Sequence, residues 1–356
     1  MFVFRQIMSL TTFRLRAICT AFLFSSLRGL AQTTGLISPD AIVFNPTANK
    51  VYAVDPGHRA VSVFDVGARS TKSVHVGDEP LAIAVNSVTN RVYVANAGSG
   101  TVSVLDGKSD AILATVNVGQ RPYVLAANAA TNKVYVSNTF SDLLTIIDGA
   151  TNATRALKTG SADAIAVDST GEHVYLLGYE SDHLTVLDAD DSLHRLPAGA
   201  MHLWAMAFNG TNALNVTRIN NGDVVAINPQ SKGLTPIPAG QFPCAVAVHA
   251  KTARVYVANC FDDTVTVMDG ATYKVLATVR VGSHPQAIAV DQQTGLAFVA
   301  NTHGDSVSVI DGASNKVMAT LPAGANPYAI AVDPGSGTVY VANLGEPAFT
   351  RVDVPR

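Results

Sequence analysis

Few side chains in this chain are placed to do chemistry. Beyond Cys19, its cysteines are Cys244 and Cys260. Two thiolates together with His284 and His303 would form a Cys2His2 set with zinc-like chemistry, although the spacing matches no local metal motif. In an oxidising compartment the same two cysteines predict a disulfide instead. Asp40 and Asp163 are the carboxylates positioned for acid–base work, in which a divalent cation could take part. Asp106, Asp148, Asp269 and Asp311 each precede a glycine and recur in register, which marks them as turn formers. Asp190-Asp191 and Asp262-Asp263 read as solvated turn pairs rather than calcium ligands. Cys-x-x-Cys-His, a phosphate-cradling glycine loop and a Gly-x-Ser-x-Gly elbow do not occur in the sequence, so no catalytic residue is assigned and no cofactor is expected. Asn152, Asn209 and Asn215 open glycosylation sequons, which matter only in a host that modifies them.

A repeat must position these groups. The segment Val92-Tyr93-Val94-Ala95-Asn96 recurs in degenerate form, its second residue falling at 52, 93, 135, 175, 215, 256, 298 and 340. Each unit holds four short runs rich in Val, Ile, Tyr and Thr, separated by Gly, Asn, Asp and Pro. In the second unit these are Leu81–Val85, Arg91–Ala95, Thr101–Leu105 and Ala111–Val118. β-Branched and aromatic residues fit a pleated surface, and the turn residues supply unusual backbone angles. Four antiparallel strands per period of about 40 residues define a β-propeller blade. The predicted fold is therefore all-β, a single propeller over 32–356, with repeats starting near 39, 80, 122, 162, 203, 243, 285 and 327. Eight blades are favoured and seven are the alternative. The last unit stops after three strands, and Gln32–Ser38 is free to supply the fourth, closing the ring between the two termini.

The Val-Tyr-Val-Ala-Asn copies, the following Thr101–Gly107 pattern and the Val-Gly-x-x-Pro links resemble the YVTN-repeat, or YncE-like, β-propeller family over 39–356. Gly178 stands where the motif has Asn, and Asn215 where it has Tyr. The resemblance implies an exported or cell-surface propeller, in a family with varied roles, and some similar propellers are lactonases. In a propeller the links into the innermost strands and the turns between second and third strands share one face, the channel mouth. The residues opening the innermost strands should ring it: Asp40, Leu81, Tyr123, Asp163, Trp204, Cys244, Gln286 and Tyr328. Tyrosines, a tryptophan, carboxylates and an amide could hold a small polar ligand. The competing expectation is that they merely cap strands and plug the channel. If Val248 faces Tyr256, the same register sets Cys244 opposite Cys260, as a disulfide requires.

Charge and composition set the outer limits. Charged residues are 14% of the chain and apolar residues 48%, a strand-and-turn composition with a real core. Residues 1–31 carry Arg5, Arg14, Arg16 and Arg28, no acid, an apolar stretch from Ala17 to Leu27, and small residues before Gln32. That is the layout of a secretory signal peptide. Its removal leaves 20 basic against 27 acidic residues, near −7 overall. A nucleic-acid partner is excluded on that balance, and no later segment is apolar for long enough to span a membrane. The expectation is a monomeric, secreted, periplasmic or cell-surface scaffold for a protein partner or a small polar ligand. The alternative is a lactonase-type hydrolase using Asp40 and Asp163.

Overall fold

Eight antiparallel sheets follow one another along the chain, seven of four strands and the last of three. They span residues 42–75, 80–117, 122–158, 164–197, 203–238, 243–280, 285–322 and 327–352, and are called blades 1 to 8. The computed structural model describes residues 40–354, apart from 140, 169, 210–212 and 346–348. The export segment and the closing strand expected at Gln32–Ser38 therefore lie outside the described residues. Within each blade the strands pair strictly in sequence order. Each innermost strand packs on its neighbours in the blades before and after. That of blade 1 (Ile42–Asn45) also meets that of blade 8 (Pro327–Val332), so the ring is closed. The architecture is an eight-bladed β-propeller, and no α-helix occurs among the described residues.

The core lies between blades. Val102, Tyr93 and Ala82 of blade 2 interleave with Leu125, Val134, Val136 and Ile147 of blade 3, and the other seams repeat this pattern. Tyr52, Tyr93, Tyr256, Tyr340 and Phe298, the second residues of their repeats, are fully buried. Small residues on the innermost strands, such as Ala82 and Ala329, let the sheets converge. Blade 1 is further tied to blade 2 by a buried ionic knot on the face away from the mouth. Lys50 Nζ donates to Asp110 Oδ2 at 2.7 Å, and the Tyr52 hydroxyl donates to Asp110 Oδ1 at 2.7 Å. Burial works to raise the Asp110 carboxyl, but Lys50, Lys72 and Tyr52 outweigh it and hold the group below the usual carboxylate range.

One expected register is off by a residue. Val248 pairs with Val255 and Ala247 with Tyr256, which taken alone would point Cys244 and Cys260 to opposite faces. A β-bulge between Pro243 and Ala245 absorbs the slip. Cys244 is the extra residue and Cys260 lies just past the second strand. Their sulfurs are joined in a disulfide, with Cα atoms 6.1 Å apart. Similar irregularities interrupt the innermost strand of blades 2, 3, 5, 7 and 8. A bulge re-aims the side chain it carries. The strand-opening position is thus special in most of the ring.

Candidate functional site

The mouth is built from two loops per blade: the link entering the innermost strand and the turn between the second and third strands. The final Asn of the repeat binds them together. Asn259 Nδ2 donates to Thr264 and Thr266 at 3.0 Å each, and its Oδ1 accepts the Gly240 N–H of the link at 3.0 Å. Asn301 holds Ser306 and Ser308 in the same way. The link must then pass against that amide. A Cβ on Gly282 would sit 2.6 Å from Asn301, and one on Gly119 2.5 Å from Asn138, which explains the glycine of Val-Gly-x-x-Pro. The acidic pair Asp262-Asp263 continues the lashing. Asp262 Oδ2 accepts the Gln241 N–H at 2.6 Å, and Asp263 Oδ1 accepts the His284 N–H at 2.8 Å. These carboxylates are therefore anchors for the links, not merely the solvated turn residues expected.

Of the strand-opening residues, Leu81, Tyr123, Cys244 and Tyr328 are buried, whereas Trp204, Asp163 and Gln286 are half-buried. In three blades the strand-opening residue meets the residue sixteen further on. The disulfide Cys244–Cys260 occupies this pairing in blade 6. Blade 7 has the Thr302 hydroxyl donating to Gln286 Oε1 at 3.0 Å, and blade 4 has the Tyr179 N–H donating to Asp163 Oδ2 at 2.7 Å. Burial, with Asp55 adding to it, raises the Tyr328 phenol. Asp40 is reached by solvent, yet the surrounding protein desolvates its carboxyl and pushes it up to about 6. The Cys2His2 alternative is ruled out, because both sulfurs are held in the disulfide and are not thiolates. Among the described residues, no three His, Cys, Asp or Glu side chains gather as a metal-binding group.

What the strand-opening ring does not contain is the aromatic arc beside it. Tyr179 of blade 4 meets His202 at 5.0 Å between ring centroids and Trp204 of blade 5 at 6.0 Å. Trp204 meets Phe242 at 6.0 Å, Phe242 stacks on Phe261 of blade 6 at 4.6 Å, and Phe261 meets His284 at 5.9 Å. His284 then stacks on His303 of blade 7 at 4.4 Å. Seven rings therefore follow one another without a break across four blades. Phe261 is 54% exposed. Burial first, then repulsion from His303, lowers His284 to about 4, so it stays neutral.

The links explain how the rings come to line the rim. His202, Phe242 and His284 immediately precede the innermost strand, each with φ near +60° (63°, 56° and 57°). The left-handed region costs a side-chain-bearing residue about 1–2 kcal/mol. The equivalent residues of blades 2 and 3, Glu79 and Arg121, share that backbone but form a paired bidentate bridge of 2.8 and 3.0 Å. The rim is therefore ionic over blades 2–3 and aromatic over blades 4–7. Sequence reasoning placed the ring of mouth residues at the residue after the strand-opening proline. Of the arc beside it, it named His284 and His303 only as zinc-type ligands and missed His202, Phe242 and Phe261. The available signal was the run of large rings just before the innermost strands, His202, Phe242 and His284, where other repeats carry Glu79, Arg121 and Asn326.

An open groove of about 420 Å³ lies between blades 5 and 6 on this face, lined by Asn220, Asn221, Gln241, Phe242, Phe261 and Asp262 together with backbone of the adjoining loops. A second, of about 310 Å³, lies on the opposite face of blade 4, among Glu172, His173, Asp188 and Asp190.

No family model matches the chain, and no curated protein is similar to it in sequence. Solved structures do resemble it. A chain of hydrazine synthase from Kuenenia stuttgartiensis superposes with a TM-score of 0.62 at 17% identity, covering 80% of this chain and 98% of that one. A streptogramin B lyase superposes with a TM-score of 0.56 at 13% identity, covering 86% of this chain and 92% of that one. At such identities the likeness speaks to the fold alone.

Proposed function

We propose that this chain is an exported binding scaffold of the YVTN-repeat kind that engages a protein partner or small polar ligand through the aromatic half of its channel mouth. The unbroken line of rings from Tyr179 to His303 carries the reading. Large rings supply contact area at low conformational cost and are the usual anchors of recognition surfaces. Phe261 and Trp204 leave surface in water that a solely structural stack would bury. The first 31 residues act as the export signal in this reading, and the bond Cys244–Cys260 suits an oxidising compartment.

The test is a photo-crosslinking residue placed at Phe261 on the mouth or at Asp190 on the opposite face, with the protein incubated in its own exported fraction. Adducts from position 261 and none from 190 are expected. Adducts from 190 alone, or equally from both, overturn the reading.

One observation favours a second reading, lactone hydrolysis. A carboxyl at about 6, as at Asp40, suits proton transfer near neutral pH. Turnover of a lactone panel that disappears in Asp40→Asn would establish it. Inactivity of the wild-type protein over that panel would discard it.

A further inference from the structure

We infer that the groove between blades 5 and 6 is a carbohydrate subsite, with a neutral pyranose lying on the Phe242–Phe261 pair while Asn220, Asn221 and Gln241 hydrogen-bond its hydroxyls. The inference rests on the mouth reading above and assigns it a ligand class.

Four observations favour a sugar. The two phenyl rings are stacked, with centroids 4.6 Å apart and planes 29° from parallel, and Phe261 is 54% exposed. Stacked on Phe242, the exposed Phe261 ring offers one apolar face, which matches the C–H face of a pyranose through dispersion and the ring quadrupole. Asn220, Asn221 and Gln241 line the same groove and are exposed, and no hydrogen bond of their side chains is seen among the described residues. Each amide presents a donor and an acceptor side by side, the complement of vicinal hydroxyls.

Charge narrows the class. Lys, Arg and His are absent from the groove's lining, so a phosphate, sulfate or carboxylate ligand would enter unpaired. Its one carboxylate, Asp262, already accepts the Gln241 N–H through Oδ2, which leaves Oδ1 as an acceptor for a hydroxyl. A quaternary ammonium needs rings on several sides, and here two rings share one side. A polyproline helix needs ridges standing apart, whereas these rings lie on each other. The volume, about 420 Å³, falls within the range of small-ligand clefts. On one side the half-buried Trp204, 6.0 Å from Phe242, extends the apolar surface along the rim, whereas His284 on the other side is buried and only backs Phe261.

Trp204 is the only tryptophan in the chain and its ring lies 6.0 Å from Phe242, so its fluorescence reports on the groove. The mature protein would be titrated with cellohexaose, xylohexaose, mannohexaose and chitohexaose, and separately with tetramethylammonium and a decaproline peptide. The expected result is a saturable change with at least one hexasaccharide. Phe261→Ala should weaken that binding at least tenfold and Phe261→Trp should retain it. Asn221→Ala and Gln241→Ala should each weaken it severalfold. All three positions are at the surface, and an unchanged melting temperature confirms that the variants fold.

A saturable response to tetramethylammonium or decaproline, with every hexasaccharide silent, overturns the sugar assignment while leaving the mouth reading intact. Hexasaccharide binding that survives Phe261→Ala unchanged also overturns it, by placing the sugar elsewhere. Silence from all six probes does the same, and the mouth reading then stands or falls on the crosslinking comparison alone.

Discussion

Removing the Asp110 carboxylate should loosen the ring next to the seam where it closes, without touching the mouth. In the folded chain Asp110 has 1% of its side-chain surface exposed and Lys50 has 9%. Asp110→Ala leaves the Lys50 ammonium buried, with only the Gly107 and Lys108 carbonyls to accept from it, at 3.2 and 2.8 Å. It also costs Tyr52 its carboxylate acceptor, although the Gly107 carbonyl remains at 3.1 Å. Lys72, 53% exposed on its side chain, turns to water at little cost. Breaking one side of a buried ion pair costs about 3–5 kcal/mol. The retained carbonyls put this case near the lower end, about 3 kcal/mol. For a chain of this size that corresponds to a fall in melting temperature of roughly 5–8 °C. Thermal unfolding by circular dichroism at pH 7 would measure it. Lys50→Met combined with Asp110→Ala should recover at least about 1.5 kcal/mol relative to the sum of the single changes, because the stranded charge is gone. Asp110→Ala melting within 1 °C of wild type, or strict additivity in the cycle, would refute the reasoning.

Three further outcomes follow from the same physics. Gly282→Ala, whose Cβ would meet the Asn301 amide at 2.6 Å, should destabilise by about 1–3 kcal/mol, whereas Gly57→Ala, 3.7 Å from its nearest neighbour, should be close to neutral in the same denaturation assay. Denatured, unreduced mature protein should contain no free thiol, and Cys244→Ser with Cys260→Ser should lose about 3 kcal/mol, as a loop of sixteen residues implies. Two free thiols would remove the bond from the account. Because His284 is held at about 4 in the folded chain, against 6.5 for the free side chain, the unfolded chain takes up a proton that the folded one refuses. Stability should therefore fall as pH drops from about 6.5 to about 4, by roughly 3 kcal/mol at most. His284→Phe should flatten that slope, and an unchanged pH profile in the variant would refute the assignment.

The ring was legible because each blade repeats one solution to one packing problem. Tyrosine recurs where a large side chain must fill the seam, as Tyr93 and Tyr256 do at 0% exposure, and period and strand number follow from that. The site was less legible because it uses positions where the repeat is silent. Phe242 and His284 stand before a proline, in a left-handed conformation that no propensity rule assigns to such residues. Phe261 sits in a turn where nothing in the scaffold demands a ring. The cysteine pairing could be read only through a register that a bulge then shifted, since a two-residue side-chain period cannot foresee an extra residue.

Even so, the two irregular repeats obey the logic of the regular ones. In blade 5, Arg218 takes the place of the terminal Asn, and its Nε donates to Asp223 at 2.7 Å. Asp223 lies five residues on, the spacing at which Asn96 reaches Thr101. A guanidinium–carboxylate pair thus replaces an amide–hydroxyl pair at the same joint. In blade 4, Gly178 replaces the Asn outright, and the link glycine there, Gly160, has nothing within 4 Å of its would-be Cβ, where Gly282 would strike the amide at 2.6 Å. Loss of the amide and relief of the close approach occur together, as expected if the amide is what imposes glycine on the link. This joint is most open where Gly178 leads into Tyr179, the residue that begins the aromatic arc. The scaffold's constraint is relaxed only where the rings begin. At the proposed groove the Asn259 joint is intact, with a Gly240 Cβ 2.7 Å from its amide, so the rings of blade 6 are carried on a fully constrained link.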